Sequence, residues 1–561
     1  MFGFTYKSAQ SVILLSWLLR NCTFGSIILW YSFACLLTIA VVLAVTTYDH
    51  DYWVRRGIFS PPALPVVGHI WSVVLFKEQG GMCFKRIYDT YTKERILGTH
   101  QFYQRTLVVR DPELIKRICV NDFQHFTDRG FFFNKDVDPL AGSVLFLRGN
   151  EWKRLRAKIS PIFSPNKLRG MFPLIENTAQ EFVVRVKSIL SNASETQNKM
   201  PMIPAVRQED SSEILSGVVE SEKLVGGYTA DAIVPCAFGL KSNVMYTDND
   251  PFAVALSAFY EMSVFNLFEK TMRQFWPAFV LFFRMRIIPK KTHDFFHNIV
   301  TSVLRARESG EQDKRGDFID MMMALRSDST KNNTKSDSED VEITDMVISA
   351  NAFIIFLGGF ETTSSTLAFL FLELASNRRV QEKMREEIRE VMDRHDGKPT
   401  YEMLQELMYM EMVIQETLRL YPPFPSIQRM CTKDYKIPDT DKVVERGTIV
   451  LFPTLGIQRD EQYFESASSF VPERWAEGKP QPPPGVYMPF GDGPRYCIGK
   501  RFAMIQMKCC LVRMLQNFRI SPAQADSLGE PVKPRVEPFT ADPRTPLTLH
   551  PVESLVRISL L

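Results

Sequence analysis

The chain has 561 residues, of which 23% are charged, and its formal net charge is only +3. This near balance of charge gives no reason to expect nucleic acid as a partner. Nine cysteines are scattered along the chain without a Cys-x-x-Cys pair or a regular spacing, so neither a disulfide framework nor a structural zinc site is supported.

A long uncharged stretch lies near the N-terminus. No charged residue occurs between Asn21 and Tyr48, and about 20 apolar residues suffice to cross a bilayer as a helix. A cleaved signal peptide has a shorter apolar core, and a buried core helix is the other alternative. The pattern predicts an N-terminal segment at residues 1–24 and a retained transmembrane anchor at residues 25–48.

A proline-rich segment follows the anchor, with the sequence Ser60-Pro61-Pro62-Ala63-Leu64-Pro65. Prolines fix φ and stiffen the chain. We therefore expect a semi-rigid hinge at residues 49–68, followed by the main globular domain at residues 69–561.

Arg129 and the pair Trp152 and Arg156 lie further along the chain. Each arginine taken alone is more typical of a surface salt bridge. The pair Trp152 and Arg156 lies one helical turn apart, so both side chains share a helix face.

The nearly uncharged stretch from residue 347 to residue 374 predicts a long central helix, which contains Gly358-Gly359-Phe360-Glu361-Thr362. Each glycine costs a helix interior about 1 kcal/mol relative to alanine. This cost indicates either a functional opening of the helix or a requirement of packing, and the residues alone do not decide between the two.

Glu416-Thr417-Leu418-Arg419 places a carboxylate and a guanidinium three residues apart. Such a pair on a helix is usually solvated and stabilises it by a few tenths of a kcal/mol. A buried version requires every charge to be satisfied, because the loss of one partner costs several kcal/mol.

The most informative segment is Phe490-Gly491-Asp492-Gly493-Pro494-Arg495-Tyr496-Cys497-Ile498-Gly499. A cysteine in a glycine-rich loop before an apolar helix suits an axial thiolate ligand of haem iron. Backbone N–H groups near Gly499 can point at the sulfur, Arg495 can bind a haem propionate, and Phe490 can shield the sulfur from water. A buried structural cysteine is the alternative.

The spacing Phe-x-x-Gly-x-Arg-x-Cys-x-Gly resembles the haem-binding loop of the cytochrome P-450 superfamily. Further matches run from about residue 60 to about residue 520 and are similar to the animal microsomal branch, with its vertebrate family-three and insect family-six monooxygenases. The resemblance implies a mainly α fold with a small β-rich region, a triangular helical prism around haem, preceded by a single transmembrane helix.

The resemblance also implies a role for each candidate residue. Cys497 is the expected iron ligand, Thr362 the residue that assists oxygen activation, and Glu361 the residue that supplies protons through water. Glu416, Arg419 and Arg474 are expected to form a buried ion-pair network. The expected haem-binding residues are Arg129, Trp152, Arg156, Arg429, Phe490, Arg495 and Gly499.

The implied activity is that of a haem-thiolate monooxygenase with haem b as its cofactor. Electrons are expected from NADPH through NADPH–cytochrome P-450 reductase, with cytochrome b5 as an additional candidate donor. Lys153, Arg154 and Lys158 offer a docking patch for an acidic reductase, although such a run is more often a solvated face. The implied location is the endoplasmic reticulum membrane, with a single-pass anchor in membrane lipid and a cytosolic catalytic domain.

Aromatic residues in the segments that line the distal cavity of this family indicate a lipophilic small-molecule substrate. They include Phe360 and the runs Gly130-Phe131-Phe132-Phe133 and Pro423-Phe424-Pro425-Ser426-Ile427. Such a wall favours burial of apolar surface and offers little that would orient a polar substrate. Broad detoxification is therefore favoured over one dedicated substrate.

Two alternative functions remain at this point. A haem-thiolate enzyme that isomerises or dehydrates hydroperoxides needs no reductase, but the pair Glu361-Thr362 argues against it. A non-catalytic haem protein that binds a ligand is the second alternative, and it would consume no NADPH with purified reductase.

Overall fold

The computed structural model describes residues 29–38, 40–41, 43–44, 47–75, 77–197, 216–260, 282–286, 288–313, 315–331, 341–522 and 555–560. Helices predominate. They are α1 Leu29–Thr38, α2 Tyr52–Arg55, α3 Trp71–Val74, α4 Gly80–Thr90, α5 Pro112–Lys116, α6 Gly149–Ile159, α7 Pro165–Gln197, α8 Ser221–Phe238, α9 Pro251–Tyr260, α10 Lys290–Glu308, α11 Phe318–Lys331, α12 Asp345–Ser376, α13 Arg378–Arg394, α14 Met403–Glu406, α15 Met408–Leu420, α16 Thr454–Ile457 and α17 Lys500–Asn517.

Short helical turns connect several of these elements. A π-helical segment, Arg117–Asn121, continues α5 directly. The 3₁₀ turns are Phe123–His125, Pro139–Ala141, Ser160–Phe163, Pro472–Trp475 and Gly493–Arg495.

The β structure is small and lies in three sheets. Its strands are β1 Ile96–Gln101, β2 Gln104–Val109, β3 Ser216–Glu220, β4 Ile427–Met430, β5 Tyr435–Lys436, β6 Val443–Val444, β7 Ile449–Phe452, β8 Phe518–Pro522 and β9 Leu555–Leu560. The largest sheet has the order β1-β2-β7-β4, in which only β2 and β7 are parallel. The expected combination of a mainly helical fold with a small β-rich region is confirmed.

Helix α12 runs through the centre of the helical core. Thr344 caps its start, where the hydroxyl oxygen accepts a hydrogen bond from the Val347 N–H at 3.3 Å. The helix is apolar on most of its faces, which is typical of a helix buried all round. It packs against α8, α10, α15 and α17, so it contacts the helix that begins directly after Cys497.

The predicted membrane anchor is represented in part. Among the described residues, Asp345–Ser376 is the only helix long and apolar enough to cross a membrane, but more than half of it is buried inside the protein as the core helix. Helix α1 is a shorter apolar helix with exposed side chains such as Trp30 and Phe33. Residues 25–28, 39, 42, 45 and 46 of the predicted anchor lie outside the described residues.

The segment predicted as a hinge is packed onto the largest sheet. Trp53 is fully buried and donates a hydrogen bond from its indole nitrogen to the Thr99 carbonyl at 3.0 Å. A Cβ atom at Gly98 would lie 2.1 Å from the Trp53 ring, so only glycine at this position leaves room for the indole. Residues 49–68 are therefore a docked strap rather than an isolated linker.

Candidate active site

Cys497 lies in a loop that begins at Phe490 and ends at the first turn of α17. The Cys497 N–H donates a hydrogen bond to the Phe490 carbonyl at 2.8 Å, which closes the loop. Gly493 has φ +68°, and a Cβ atom there would lie 1.8 Å from the Cys119 carbonyl oxygen. Glycine is thus required both by the left-handed backbone and by the close approach of the π-helical segment Arg117–Asn121.

Positively charged side chains lie near the Cys497 thiol and act on its pKa. Burial raises the pKa of Cys497, whereas the Gly499 N–H, the Arg129 and Arg156 guanidiniums and Lys500 lower it. Cys497 is half-buried, and coordination to a metal ion would stabilise its thiolate form.

Four arginines from separate parts of the chain surround this loop: Arg129, Arg156, Arg429 and Arg495. Arg495 donates from Nε to the Thr127 carbonyl at 2.8 Å and from Nη2 to the Leu147 carbonyl at 2.9 Å. Both bonds tie the Cys497 loop to the connection that leads into α6.

The other three arginines also donate to main-chain carbonyls. Arg129 Nη2 donates to the Arg495 carbonyl at 2.8 Å, and Arg156 Nη2 donates to the Tyr496 carbonyl at 3.0 Å. Arg429 is buried, with Nη1 bonded to the Gln428 carbonyl at 2.9 Å. The neutral carbonyls position the guanidiniums without neutralising them.

The arginine cluster carries more positive charge than the protein compensates. Burial, together with repulsion from neighbouring arginines, lowers the pKa of Arg495 to about 8 and that of Arg129 to about 9. Within the described parts of the chain, Asp128 is the only carboxylate within 4.0 Å of a nitrogen of these arginines, at 3.7 Å from Arg495 Nη2.

Two buried guanidinium nitrogens of the cluster, Arg495 Nη1 and Arg429 Nε, have no hydrogen-bond partner among the described residues. Unpaired buried donors of this kind are costly and are satisfied when an anion binds. Haem carries two carboxylate groups, which match an excess of buried guanidinium charge. The residues beside Cys497 therefore fit haem both at the sulfur and at the arginines.

Trp152 supports the cluster from α6. The helix buries Trp152, Leu155 and Ile159 on one face, the spacing expected for a helix side that faces the core. The Arg495 guanidinium carbon lies 3.7 Å from the centre of the Trp152 ring. Trp152 thus contacts an arginine of the cluster, and Arg156 on the same helix contacts the main chain at Tyr496.

Phe490 lies beside Cys497 in the loop. It is half-buried against the helical core, and the Lys500 ammonium lies 5.6 Å from the centre of its ring. This position is the one from which its ring can shield the sulfur.

The glycine pair of α12 does not interrupt the helix, which is continuous from Asp345 to Ser376. A Cβ atom at Gly359 would lie 3.0 Å from Ile233, so this glycine has a packing reason. Gly358 is exposed although its helix is buried, and a Cβ atom there would have nothing within 4 Å. Packing therefore accounts for one glycine, and Gly358 faces open space.

Thr362 and Glu361 occupy different sides of α12. The Thr362 hydroxyl donates to the Gly358 carbonyl at 2.7 Å and is half-exposed on the side of the open glycine. The Glu361 side chain is buried. Only Thr362 shares the Gly358 side of the helix.

Glu416, Arg419 and Arg474 come together in a buried network. Both Glu416 oxygens accept hydrogen bonds from Arg419, each at 2.9 Å, and Oε1 also accepts from Arg474 Nε at 3.0 Å. Glu416 and Arg419 are fully buried. The pair Glu416 and Arg419 is therefore buried rather than solvated, and each of its charges has hydrogen-bonding partners.

Sequence reasoning missed three members of the site. The Trp475 indole N–H donates to Glu416 at 2.9 Å, and the Gln458 amide links the carbonyls of Leu418 and Arg419 to the Met488 N–H. Asp128 is the third. Trp475 and Asp128 adjoin residues that the motifs identify, which is the only signal that could have found them.

The aromatic run after Arg129 is held by neighbouring side chains. The rings of Phe131 and Phe133 lie 5.5 and 6.1 Å from that of Phe146, and Arg148 Nε donates to the Phe131 carbonyl at 3.1 Å. On α12, Phe360 stacks against Phe356. These aromatic side chains are half-buried rather than fully packed, apart from Phe356.

Comparison with known proteins gives matches over most of the chain. The cytochrome P-450 family model matches residues 59–537. Cytochrome P-450 6k1 of Blattella germanica is 32% identical over 93% of this chain and 98% of its own length. Cytochrome P-450 6B1 of Papilio polyxenes is 32% identical over 88% of this chain and 94% of its own length, and cytochrome P-450 6a2 of Drosophila melanogaster is 32% identical over 87% and 92%.

Proposed function

Because this chain belongs to the cytochrome P-450 family, with relatives among the insect family-six enzymes, we propose that Cys497 ligates the haem iron and that Arg129, Arg156, Arg429 and Arg495 bind its anionic groups. The chain is a haem monooxygenase. The observation that carries the residue assignment is the excess of buried guanidinium charge beside the Cys497 loop, with Asp128 as its one carboxylate neighbour in the described structure.

Haem, when bound, supplies the iron at which O₂ is reduced, so that one oxygen atom of O₂ is inserted into a substrate. The chain positions that group and controls protons around it. The Gly499 N–H and the nearby guanidiniums stabilise negative charge on the Cys497 sulfur, and Phe490 keeps water away from it. The network around Glu416 holds α15 against the loop at residues 467–475, which keeps this side of the protein rigid.

Thr362 is the proposed hydrogen-bond donor on the opposite side of the site. Its hydroxyl rests on the Gly358 carbonyl and can rotate from it into the open space beside that glycine. Glu361, buried one residue away, is the proposed proton source for Thr362 through water. General acid assistance of this kind typically contributes 10²–10⁴-fold.

The proposed substrate is a lipophilic small molecule. Phe131, Phe133 and Phe360 are half-buried aromatic residues in the segments nearest the site, and Phe146 and Phe356 hold their rings in place. Burial of apolar substrate surface against them stabilises binding by about 25 cal/mol per Å². Few polar groups are available there to select one substrate, which favours broad specificity.

The proposed electron donor is NADPH–cytochrome P-450 reductase, with cytochrome b5 as an additional candidate. Lys153 is exposed on α6, the helix that also carries Arg156, so an acidic partner at this surface would lie close to the Cys497 loop. Lys158 donates to the Val341 carbonyl at 3.0 Å, and its charge is partly committed to the fold.

The proposed location is the endoplasmic reticulum membrane, with residues 25–48 as a single-pass anchor and a cytosolic catalytic domain. The exposed apolar side chains of α1 support an environment of lipid for this segment. The segment at residues 49–68 would then connect the anchor rigidly to the β1–β2 sheet through Trp53.

Reconstitution with purified NADPH–cytochrome P-450 reductase tests the proposal. We expect NADPH-dependent oxidation of several lipophilic compounds from a panel of drugs, pesticides, steroids and fatty acids, with one ¹⁸O atom incorporated from ¹⁸O₂. Turnover of hydroperoxides in the absence of NADPH, together with no NADPH-dependent oxidation of the panel compounds, would contradict the reductase-dependent reaction. Exclusive turnover of one steroid or fatty acid would contradict broad specificity.

A further inference from the structure

Asp128 lies where the elements that carry the four arginines meet. The residue is 6% exposed, and Oδ1 accepts hydrogen bonds from the Gly149 N–H at 2.8 Å and from the Thr127 hydroxyl at 3.1 Å. Gly149 is the first residue of α6 and has φ +49°, a conformation that favours glycine. The Asp128 carboxylate therefore fixes the start of the helix that carries Trp152 and Arg156.

The same carboxylate reaches the Cys497 loop. Asp128 Oδ1 lies 3.7 Å from Arg495 Nη2, and both side chains are buried. Interactions between buried charges are screened much less by solvent than those at the surface. Among the described residues, Asp128 thus provides the one carboxylate within 4.0 Å of the Arg495 guanidinium.

The main chain of Asp128 connects the remaining two arginines. Its carbonyl accepts a hydrogen bond from the Met430 N–H at 2.8 Å, and Met430 directly follows Arg429 in β4. Arg129 is the next residue after Asp128. A single residue is therefore bonded to, or adjacent to, every element that presents an arginine of the cluster.

We propose that Asp128 is a positioning residue that holds the four arginines in the arrangement that binds the anionic groups of haem, and that its charge contributes to the reduction potential of the iron. This inference rests on the proposed haem site. Four guanidiniums and one carboxylate leave a positive excess opposite a dianionic ligand. Removal of the carboxylate increases that excess and favours the reduced iron, which carries one more electron.

Two variants separate the charge of Asp128 from its hydrogen bonds. Asp128→Asn keeps an oxygen that can accept from Gly149 and Thr127 but removes the negative charge. Asp128→Ala removes both. Asp136→Asn, at an exposed position of the following loop, is the matched control for a change of net charge.

The holoenzymes are compared by spectroelectrochemical titration and by the rate of haem transfer to an excess of an apoprotein acceptor. We expect a more positive Fe(III)/Fe(II) potential in Asp128→Asn than in wild type or Asp136→Asn, with haem release near the wild-type rate. We expect haem release from Asp128→Ala to be roughly tenfold faster or more, a change of about 1.4 kcal/mol, because this variant also loses the hydrogen bonds from Gly149 and Thr127 that fix the start of α6.

The inference is overturned if the potential of Asp128→Asn equals that of Asp136→Asn, or if Asp128→Ala releases haem no faster than wild type. If Asp128→Ala cannot be purified with haem, the comparison of the Asp128→Asn potential with that of Asp136→Asn is sufficient to support or overturn the inference. The wild type and Asp136→Asn report on the haem site itself, so a failure of this inference is distinguishable from a failure of the proposed function.

Discussion

The guanidinium of Arg495 stacks on the indole ring of Trp152, with its central carbon 3.7 Å from the ring centre. Arg495 comes from the Cys497 loop and Trp152 from α6, which begins more than 340 residues earlier in the chain. The contact leaves the Nη1 edge of the guanidinium without a protein partner. Trp152 therefore supports the flat face of Arg495 and leaves an edge for an anion.

Replacement of Trp152 tests this support. Trp152→Phe keeps an aromatic face, whereas Trp152→Leu keeps an apolar side chain without one. A cation–π contact of this kind contributes about 0.5–2 kcal/mol, so we expect haem release from Trp152→Leu to be several-fold to roughly 30-fold faster. Trp152→Phe should lie between Trp152→Leu and wild type. Equal haem-release rates for Trp152→Phe and Trp152→Leu would show that the aromatic face of residue 152 does not contribute.

Neutralisation of Glu416 is expected to destabilise the protein strongly. Glu416→Gln leaves the buried guanidinium of Arg419 and that of Arg474 without their carboxylate, and loss of a buried ionic partner costs about 3–5 kcal/mol. We expect a much lower Tm and poor recovery of haem-loaded protein. Glu390→Gln, at an exposed position of α13, should behave as wild type. A Glu416→Gln holoenzyme with wild-type Tm would contradict the structural role of the network.

Substitution of Thr362 is expected to affect the use of electrons rather than haem binding. Thr362→Ala removes the hydroxyl, so NADPH oxidation should continue while peroxide release increases and product per NADPH falls by about 10²-fold or more. Thr362→Ser keeps the hydroxyl and should restore most of the yield. An unchanged product yield in Thr362→Ala would exclude a role of the hydroxyl in proton delivery.

The buried imidazole of His100 is expected to make the stability of the protein depend on pH, and this effect does not involve the haem site. Burial, with further contributions from His50 and His69, lowers the pKa of His100 from 6.5 to about 4. The unfolded chain therefore binds a proton that the folded protein excludes, so this contribution to stability is fully present above pH 6.5 and is lost as the pH falls towards 4.

The free energy of unfolding should thus decrease with falling pH between 6.5 and 4, by up to about 1.4 kcal/mol per pH unit from His100 alone. In His100→Gln this slope should be smaller by that amount than in wild type. Chemical denaturation at a series of pH values measures both slopes. Identical slopes in wild type and His100→Gln would contradict the assignment.

The motifs identify candidate site residues where one short segment contains the information. The loop from Phe490 to Gly499 and the pair Glu416 and Arg419 are recognisable from spacing alone. The compensation of this pair is not, because Glu416 accepts from Trp475 and the Val471 N–H while Arg419 donates to the Ala467 carbonyl. Such contacts join segments that are distant in the sequence, so local sequence patterns cannot predict them.

The same limit applies to the arginine cluster and to the strap. Arg129, Arg156, Arg429 and Arg495 are predicted one by one, but their shared dependence on Asp128 is visible only in three dimensions. The proline-rich segment at residues 49–68 predicts a stiff connection, yet nothing in its composition indicates that Trp53 packs over Gly98. The central helix is predicted from composition because its apolar length is a local property.

The most direct test of the account is the spectrum of the ferrous–CO complex of Cys497 variants. Wild type and Cys431→Ser, a change at another buried cysteine, should both show the red-shifted Soret band of thiolate ligation. Cys497→His should lose that band, because imidazole replaces the thiolate as the ligand. Persistence of the red-shifted band in Cys497→His, or its absence from the wild type with haem bound, would contradict the assignment of Cys497 as the iron ligand.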